Sequence, residues 1–124
     1  MRTVVDASVV LAWLQDEPGA DEVERMLMEG VIGAVNWSEV LQEARQHGAP
    51  AEIVGRLLAS FGLTVADVTA TDGERAAELW RPGTQLSLAD RLCLALGLRL
   101  QLTVATADAA WSDVEGAPSV TVIR

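Results

Sequence analysis

Short apolar runs alternate along the chain with longer segments in which apolar residues recur at helical spacing. The apolar runs predict strands at residues 3–5, 31–35, 63–68, 102–105 and 119–123. The segments between them predict helices at residues 9–14, 21–29, 36–47, 50–61 and 71–80, a long helix from Ser87, and a short helical turn near Trp111. Strands that are apolar throughout and separated by helices are typical of a parallel sheet covered on both faces. The pattern therefore predicts an α/β fold.

The helix that begins at Ser87 is apolar on nearly all sides, which predicts a place in the protein interior. Its apolar positions are Leu88, Leu92, Cys93, Ala95 and Leu96. Ser87 and Asp90 have the spacing of a capping box, in which each side chain accepts a hydrogen bond from the backbone N–H of the other residue. The same spacing recurs earlier in the chain, at Thr71 and Glu74, and Asn36 is placed to cap the helix that carries Glu39.

Length and composition indicate one soluble domain spanning residues 1–124. Half of the residues are hydrophobic and 22% are charged, which is typical of a globular chain rather than a disordered one. The longest apolar runs fall far short of a membrane span. The single cysteine, Cys93, excludes an internal disulfide and falls at a core position. Together these features predict a cytoplasmic protein that does not bind a membrane.

The net charge of −9 argues at first against a nucleic-acid partner, because phosphate binding usually leaves a basic footprint. More than half of that charge lies in residues 16–29, which predict the solvated face of one helix. The chain contains no lysine, so every basic contact to a phosphate would be made by a guanidinium. Arg91 is the nearest candidate for an RNA contact by sequence. A solvent-facing arginine, or a partner to one of the acids considered next, is an equally good interpretation of this residue.

Four carboxylates fall where the predicted topology brings remote parts of the chain together. Asp6 follows the first strand, Glu39 comes just after the second, Asp108 follows the fourth, and Asp90 begins the helix that leads into that fourth strand. In a parallel sheet with right-handed crossovers these positions share the edge at which such folds bind ligands. Each acid taken singly could serve as a helix cap. Four anions on one edge would repel one another unless a cation lay between them, and oxygen ligands favour Mg²⁺ or Mn²⁺ over Zn²⁺.

Four short motifs carry these acids in a fixed order. They are Asp6-Ala7-Ser8, Asn36-Trp37-Ser38-Glu39, Ser87-Leu88-Ala89-Asp90-Arg91-Leu92 and Thr106-Ala107-Asp108. In this order and spacing they resemble the motifs of the PIN-domain ribonucleases, and more closely those of the VapC-type toxins of bacterial toxin-antitoxin pairs. The resemblance covers essentially the whole chain as a single PIN domain. It implies a PIN-like three-layer α/β/α sandwich with a mainly parallel sheet of about five strands, a homodimer, and a cognate antitoxin that inserts a peptide into the active-site groove.

For the chemistry, the resemblance implies a Mg²⁺- or Mn²⁺-dependent endoribonuclease. Such a hydrolase would cleave RNA phosphodiester bonds and leave 5'-phosphate and 3'-hydroxyl ends. The implied catalytic metal ligands are Asp6, Glu39, Asp90 and Asp108. The implied supporting hydroxyls are those of Ser8 and Thr106.

Two other acidic α/β families compete with this interpretation, the response-regulator receivers and the haloacid-dehalogenase phosphatases. Both normally use a lysine to neutralise phosphate, and this chain has none. Asp6-Ala7-Ser8 also lacks the second aspartate of the phosphatase nucleophile pair. An alternative of a different class is a non-catalytic PIN-like interaction module that binds metal or RNA through the same acids. A nuclease assay distinguishes such a module from an enzyme.

Overall fold

Five short strands form one sheet in the computed structural model, which describes residues 2–123. The strands are β1 (Val4–Val5), β2 (Val31–Gly33), β3 (Thr64–Ala66), β4 (Val104–Thr106) and β5 (Val120–Val122). Their order across the sheet is β3-β2-β1-β4-β5, and every neighbouring pair is parallel. The chain therefore adds β2 and β3 on one side of β1 and then returns to add β4 and β5 on the other side, so the strand order reverses between β1 and β4. In open parallel sheets, ligands bind at such a point, beyond the C-terminal ends of the strands.

Helices connect successive strands or follow one another. They are α1 (Ala7–Leu14), α2 (Ala20–Leu27), α3 (Ala34–Gln46), α4 (Ala51–Ser60), α5 (Ala70–Glu78) and α6 (Leu88–Leu100), followed by a 3-10 turn (Ala109–Asp113). Within residues 2–123, no helix has the length and apolar character needed to cross a membrane.

The sheet has a hydrophobic core on each face, because successive strand residues point to opposite sides. Val5 packs on one side with buried residues of α1, α2, α3 and α4. Val4 packs on the other side with buried residues of α6, with Leu79 after α5, and with Trp111 of the 3-10 turn. The result is a layer of helices on each side of a parallel sheet, so the three-layer α/β/α prediction is confirmed.

The boundary between β2 and α3 differs from the prediction. The strand expected at residues 31–35 ends at Gly33, and α3 begins at Ala34. Gly33 is the N-cap residue, with extended backbone angles of φ −70° and ψ 151°. Asn36 therefore lies inside the first turn, and the prediction that it caps the helix is wrong. The pattern misplaces the boundary because Ala34 and Val35 continue the apolar run of the strand after the chain has turned into the helix.

The capping box predicted at Thr71 and Glu74 is also wrong, because Thr69 and Asp72 form the box at this helix. The Thr69 hydroxyl oxygen accepts from the Asp72 N–H, and Asp72 Oδ2 accepts from the Thr69 N–H, both at 3.1 Å. Asp72 is 3% exposed and also accepts two hydrogen bonds from Arg99 of α6, at 2.8 Å and 3.1 Å. This contact between residues far apart in sequence anchors the start of α5, and local spacing rules do not reveal it.

The apolar helix α6 is buried through its middle, as expected, but not at its start. Cys93, Ala95 and Leu96 are buried, whereas Leu88 is 58% exposed. Leu88 is the first residue of α6 and precedes the turns that pack on the sheet. The prediction that Leu88 is interior is therefore wrong.

Replacing Asp72 by asparagine is expected to lower the free energy of unfolding by about 1–2 kcal/mol at neutral pH, because charged hydrogen bonds to Arg99 are lost. Burial raises the pKa of Asp72, but hydrogen bonds from Arg99 and Thr69 outweigh it and leave the pKa below its ordinary value. A carboxyl with a lowered pKa stabilises the fold above its unfolded pKa and loses that contribution as the pH falls through its folded pKa. The difference between wild type and Asp72→Asn should therefore shrink below about pH 4 in urea unfolding curves.

The matched control is Glu74→Gln, which removes one negative charge from an exposed position of the same helix. Its free energy of unfolding should stay close to that of wild type at each pH. A stability loss in Asp72→Asn that stays constant from pH 7 to pH 3 would contradict the assignment.

Candidate functional site

The candidate site lies where the C-terminal ends of β1 and β4 meet the N-terminal parts of α3 and α6. Asp6 directly follows β1, and Thr106 is the last residue of β4. Glu39 lies in the second turn of α3, which follows β2 without a loop, and Asp90 lies in the first turn of α6. The parallel pairing of β1 with β2 and β4 places these residues around one end of the central strand.

Asp6 is buried, at 5% exposure, and is held by two hydroxyl groups. Ser8 Oγ donates to Asp6 Oδ2 at 2.7 Å, and Thr106 Oγ1 donates to the same oxygen at 3.1 Å. Each hydroxyl in turn accepts a backbone N–H from the residues after β4, from Ala107 at 3.0 Å for Ser8 and from Asp108 at 3.1 Å for Thr106. Asp6 is the N-cap residue of α1 but makes no side-chain capping bond. Its carboxylate is therefore fixed by the hydroxyls and does not act as a helix cap.

Asp6 and Glu39 are carboxylates in an environment that opposes their charge. Burial raises the pKa of Asp6, and the nearby charge of Asp90 raises it further, against hydrogen bonds from Ser8 and Thr106 that lower it. Burial likewise raises the pKa of Glu39; a hydrogen bond from Asn36 lowers it, and the charges of Asp6 and Asp90 raise it. The three acids are thus close enough to repel one another. Within residues 2–123, none of the three forms an ion pair with arginine or histidine.

Asn36 is a residue of this region that the sequence analysis predicted to be a helix cap, whereas the structure shows it bonded to an acid of the cluster. It is 1% exposed, and its Nδ2 donates to Glu39 Oε1 at 3.1 Å and to the backbone oxygen of Ala89 at 3.2 Å. This contact with Glu39 could have been predicted from the sequence, since residues three positions apart are neighbours on a helix surface.

Asp90 forms the predicted capping box and also belongs to the acid cluster. Its Oδ2 accepts from the Ser87 N–H at 3.0 Å, and Ser87 Oγ accepts from the Asp90 N–H at 3.1 Å. Its charge nevertheless acts on both Asp6 and Glu39. The capping contact and the place in the cluster are therefore compatible properties of one carboxylate.

Asp108 is set apart from the other three acids. Its side chain is exposed, and Oδ1 accepts from the Ala110 N–H at 2.9 Å, which caps the 3-10 turn. It is not among the charges that raise the pKa of Asp6 and Glu39. Asp108 instead lines an open cavity of about 480 Å³ together with Ser8, Glu17 and Glu43. The structure thus groups Asp6, Glu39 and Asp90. The Asp108 carboxylate lies outside this group, in an adjoining cavity that is also lined by Glu17 and Glu43.

Arg91 is turned towards α5. Its Nη1 donates to the backbone oxygen of Ala76 at 2.8 Å, and its Nε is buried without a hydrogen-bond partner in the described part of the chain. It forms no ion pair with an acid of residues 2–123. Arg91 therefore ties the start of α6 to α5 in this conformation, and its role as an RNA contact stays a prediction.

The acids of the cluster fit a divalent metal ion in donor type and in charge. Carboxylate and hydroxyl oxygens are the donors that Mg²⁺ and Mn²⁺ prefer, and no arginine or histidine of residues 2–123 forms an ion pair with the cluster. Among residues 2–123, no three acidic, histidine or cysteine side chains converge closely enough to hold one ion as they stand. At least one carboxylate of the cluster would therefore have to adjust its side chain around an ion.

Comparisons with known proteins agree with this architecture. A toxin-antitoxin complex from Klebsiella pneumoniae contains a similar chain, with a TM-score of 0.76 at 20% identity over 98% of each chain. A chain of DNA-bound VapBC from Salmonella typhimurium is similar with a TM-score of 0.75 at 16% identity, over 100% of this chain and 99% of the other. The sarcin-ricin-loop-cleaving toxin VapC20 of Mycobacterium tuberculosis is similar with a TM-score of 0.71 at 17% identity, over 94% of this chain and 99% of the toxin chain.

These low identities show a shared fold. No curated protein sequence matches the chain significantly. The profile of the family described as the PIN domain matches residues 3–117, which is nearly the whole chain. The chain therefore belongs to the PIN domain family.

Proposed function

We propose that this chain is a Mg²⁺- or Mn²⁺-dependent endoribonuclease and the VapC-type toxin of a type II toxin-antitoxin pair. The observation that carries the proposal is the placement of Asp6, Glu39 and Asp90 around the C-terminal end of β1, where no arginine or histidine of residues 2–123 forms an ion pair with any of the three. Membership of the PIN domain family, together with the similarity to chains of toxin-antitoxin complexes, supports RNA as the substrate and an antitoxin as the partner.

In this proposal Asp6, Glu39 and Asp90 hold the metal. When bound, the ion would lower the pKa of a coordinated water and stabilise the charge that develops at the phosphorus, leaving 5'-phosphate and 3'-hydroxyl ends. Ser8 and Thr106 orient Asp6 by both donating to Oδ2. Because side chains that orient a metal ligand influence affinity strongly, both hydroxyls belong to the working site.

Asp108 and Arg91 have less direct roles in the proposal. Asp108 is the fourth acid, and its N–H is bonded to the hydroxyl of Thr106 that also holds Asp6. In this conformation its Oδ1 caps the 3-10 turn by accepting from the Ala110 N–H. Arg91 follows Asp90 directly and is the proposed phosphate contact; its guanidinium would act alongside the Nη1 bond to Ala76. The proposed setting is a cytoplasmic homodimer regulated by its cognate antitoxin.

Cleavage of total RNA by the purified, antitoxin-free protein tests this function. Discrete fragments should form with Mg²⁺ or Mn²⁺, and their ends should be substrates for an exonuclease that requires a 5'-phosphate. EDTA should stop the reaction, and Asp90→Asn should slow it by about 10³-fold or more, since metal catalysis supplies several kcal/mol of transition-state stabilisation. Asparagine retains an oxygen for the Ser87 N–H, so the capping box survives this substitution.

Asp21→Asn is the matched control, because it makes the same change at an exposed position of α2. Its cleavage rate should equal that of wild type. Fragments that persist unchanged in Asp90→Asn would identify a contaminating nuclease. A folded, metal-binding wild type that cleaves no RNA would refute the enzyme and favour the non-catalytic binding module.

A further inference from the structure

Asn36 joins two of the helices that carry the acid cluster. Its side-chain amide lies on α3, one turn before Glu39, and it donates to Glu39 Oε1 and to the backbone oxygen of Ala89 on α6. Ala89 directly precedes Asp90. A single buried side chain therefore touches one acid of the cluster and the backbone next to a second.

The NH₂ group of this amide is fully engaged, and the side chain is tightly enclosed. An amide NH₂ group has two hydrogens, and the two bonds account for both of them. A Cβ atom added at Gly33 would lie only 3.2 Å from Asn36 Oδ1, so the amide oxygen packs against the backbone where β2 turns into α3. With 1% exposure, the side chain has little freedom to choose another partner.

An uncharged donor suits this position better than a cation would. Arginine or lysine on Glu39 would neutralise the carboxylate and compete with a metal ion for it. An amide hydrogen bond stabilises the carboxylate form while leaving its charge available. Because the bond is made to Oε1, it also leaves Oε2 as the oxygen with which Glu39 can meet an ion.

We propose that Asn36 is the positioning residue of the site, holding the Glu39 carboxylate in register with the Asp90-bearing helix so that both acids can bind one metal ion. This inference rests on the proposed metal-dependent nuclease function. Asn36 itself acts through Glu39 and does not touch the metal or the RNA.

The first test is Asn36→Leu, which keeps the size of the side chain and removes both donated bonds. Calorimetric titration of the EDTA-treated protein with Mn²⁺ should show an affinity about 10- to 100-fold weaker than that of wild type. RNA cleavage should lose kcat with little change in KM, because the substrate surface is untouched. Asn36→Ser, whose hydroxyl can replace one bond, should give a smaller loss and serves if the leucine variant does not fold.

The matched control is Gln42→Leu, the same type of amide-to-leucine change at an exposed position of α3. Its Mn²⁺ affinity and kcat should stay within about twofold of wild type, as for substitutions away from the site. Loss of the same size in Gln42→Leu and Asn36→Leu would show a general effect on the helix and overturn the proposal.

A double-mutant cycle with Glu39→Gln identifies the route of the effect. If Asn36 acts through Glu39, kcat of the double variant should be close to that of Glu39→Gln alone. The inference would be overturned if the losses of kcat in the two single variants multiplied in the double variant. It would also be overturned if folded Asn36 variants kept their Mn²⁺ affinity and kcat within twofold of wild type. A wild type that neither binds Mn²⁺ nor cleaves RNA would instead overturn the proposed function, so the two failures are distinguishable.

Discussion

Asparagine in place of Asp6 is expected to abolish metal-dependent RNA cleavage while leaving the metal-free protein at least as stable as wild type. The carboxylate is buried, and Asp90 raises its pKa further, so a neutral side chain of the same shape removes an unfavourable charge. The asparagine oxygen can still accept the hydroxyl bonds from Ser8 and Thr106. The ion, however, loses a ligand, and the cleavage rate should fall by about 10³-fold or more.

Thermal unfolding with and without Mn²⁺ tests the predicted stability of the metal-free protein and the predicted loss of metal binding. Wild type should gain about 2.7 kcal/mol when Mn²⁺ is present at a hundred times its Kd, and Asp6→Asn should gain almost nothing. In EDTA the Tm of Asp6→Asn should equal or exceed that of wild type. Asp21→Asn, on the exposed surface of α2, should behave as wild type in both solutions. A metal-free Asp6→Asn protein that unfolds well below wild type would show that the carboxylate is a structural anchor.

Alanine in place of Gly97 is expected to cause one of the largest losses of stability in the chain. Gly97 lies in the buried part of α6, where a Cβ atom would collide with Cγ2 of Val104 on β4. The same atom would lie 3.0 Å from Pro118 Cγ and 3.3 Å from the Leu102 backbone oxygen, so it has no direction in which to move. Val104 is fully buried and stiff at its branched Cβ. Overpacking of this kind should cost about 2 kcal/mol and lower Tm by roughly 8 °C.

Gly73→Ala supplies the control for Gly97→Ala. Gly73 lies within α5, and no atom lies within 4 Å of the position that its Cβ would take. The better helix propensity of alanine should leave this variant unchanged or stabilise it by up to about 1 kcal/mol. Equal Tm values for the two alanine variants would show that α6 can shift away from the sheet without cost, contrary to the packing described.

The sequence predicts the features that depend on local pattern or on the order of elements. Uniformly apolar strands separated by helices led to the parallel sheet, and the position of Asp6 after a strand led to its place at the C-terminal edge of that sheet. The Ser87–Asp90 capping box is confirmed because both partners lie within one turn. These predictions need no knowledge of which remote residues touch.

Features that depend on remote partners were missed. The start of α5 is anchored by Arg99, which lies 27 residues beyond Asp72 in the chain. The Asn36 amide donates to Ala89, 53 residues away, and this contact was not visible in the motif, although the spacing of Asn36 to Glu39 was. Arg91 likewise finds its acceptor at Ala76 on the neighbouring helix. In each case the polar partner is specified by the packing of two helices, which spacing along one helix does not encode.

The bond from Thr106 to Asp6 joins residues 100 positions apart, and it can form only when β4 has paired beside β1. During synthesis, the amino-terminal half of the chain emerges with Asp6 and Glu39 but without the strand that completes their surroundings. Long-range parallel pairing is among the slower events of folding. A growing chain on the ribosome would therefore carry no assembled site until the segment through residue 108 had emerged and entered the sheet. The topology itself delays the appearance of activity in a protein proposed to attack the RNA of the cell that makes it.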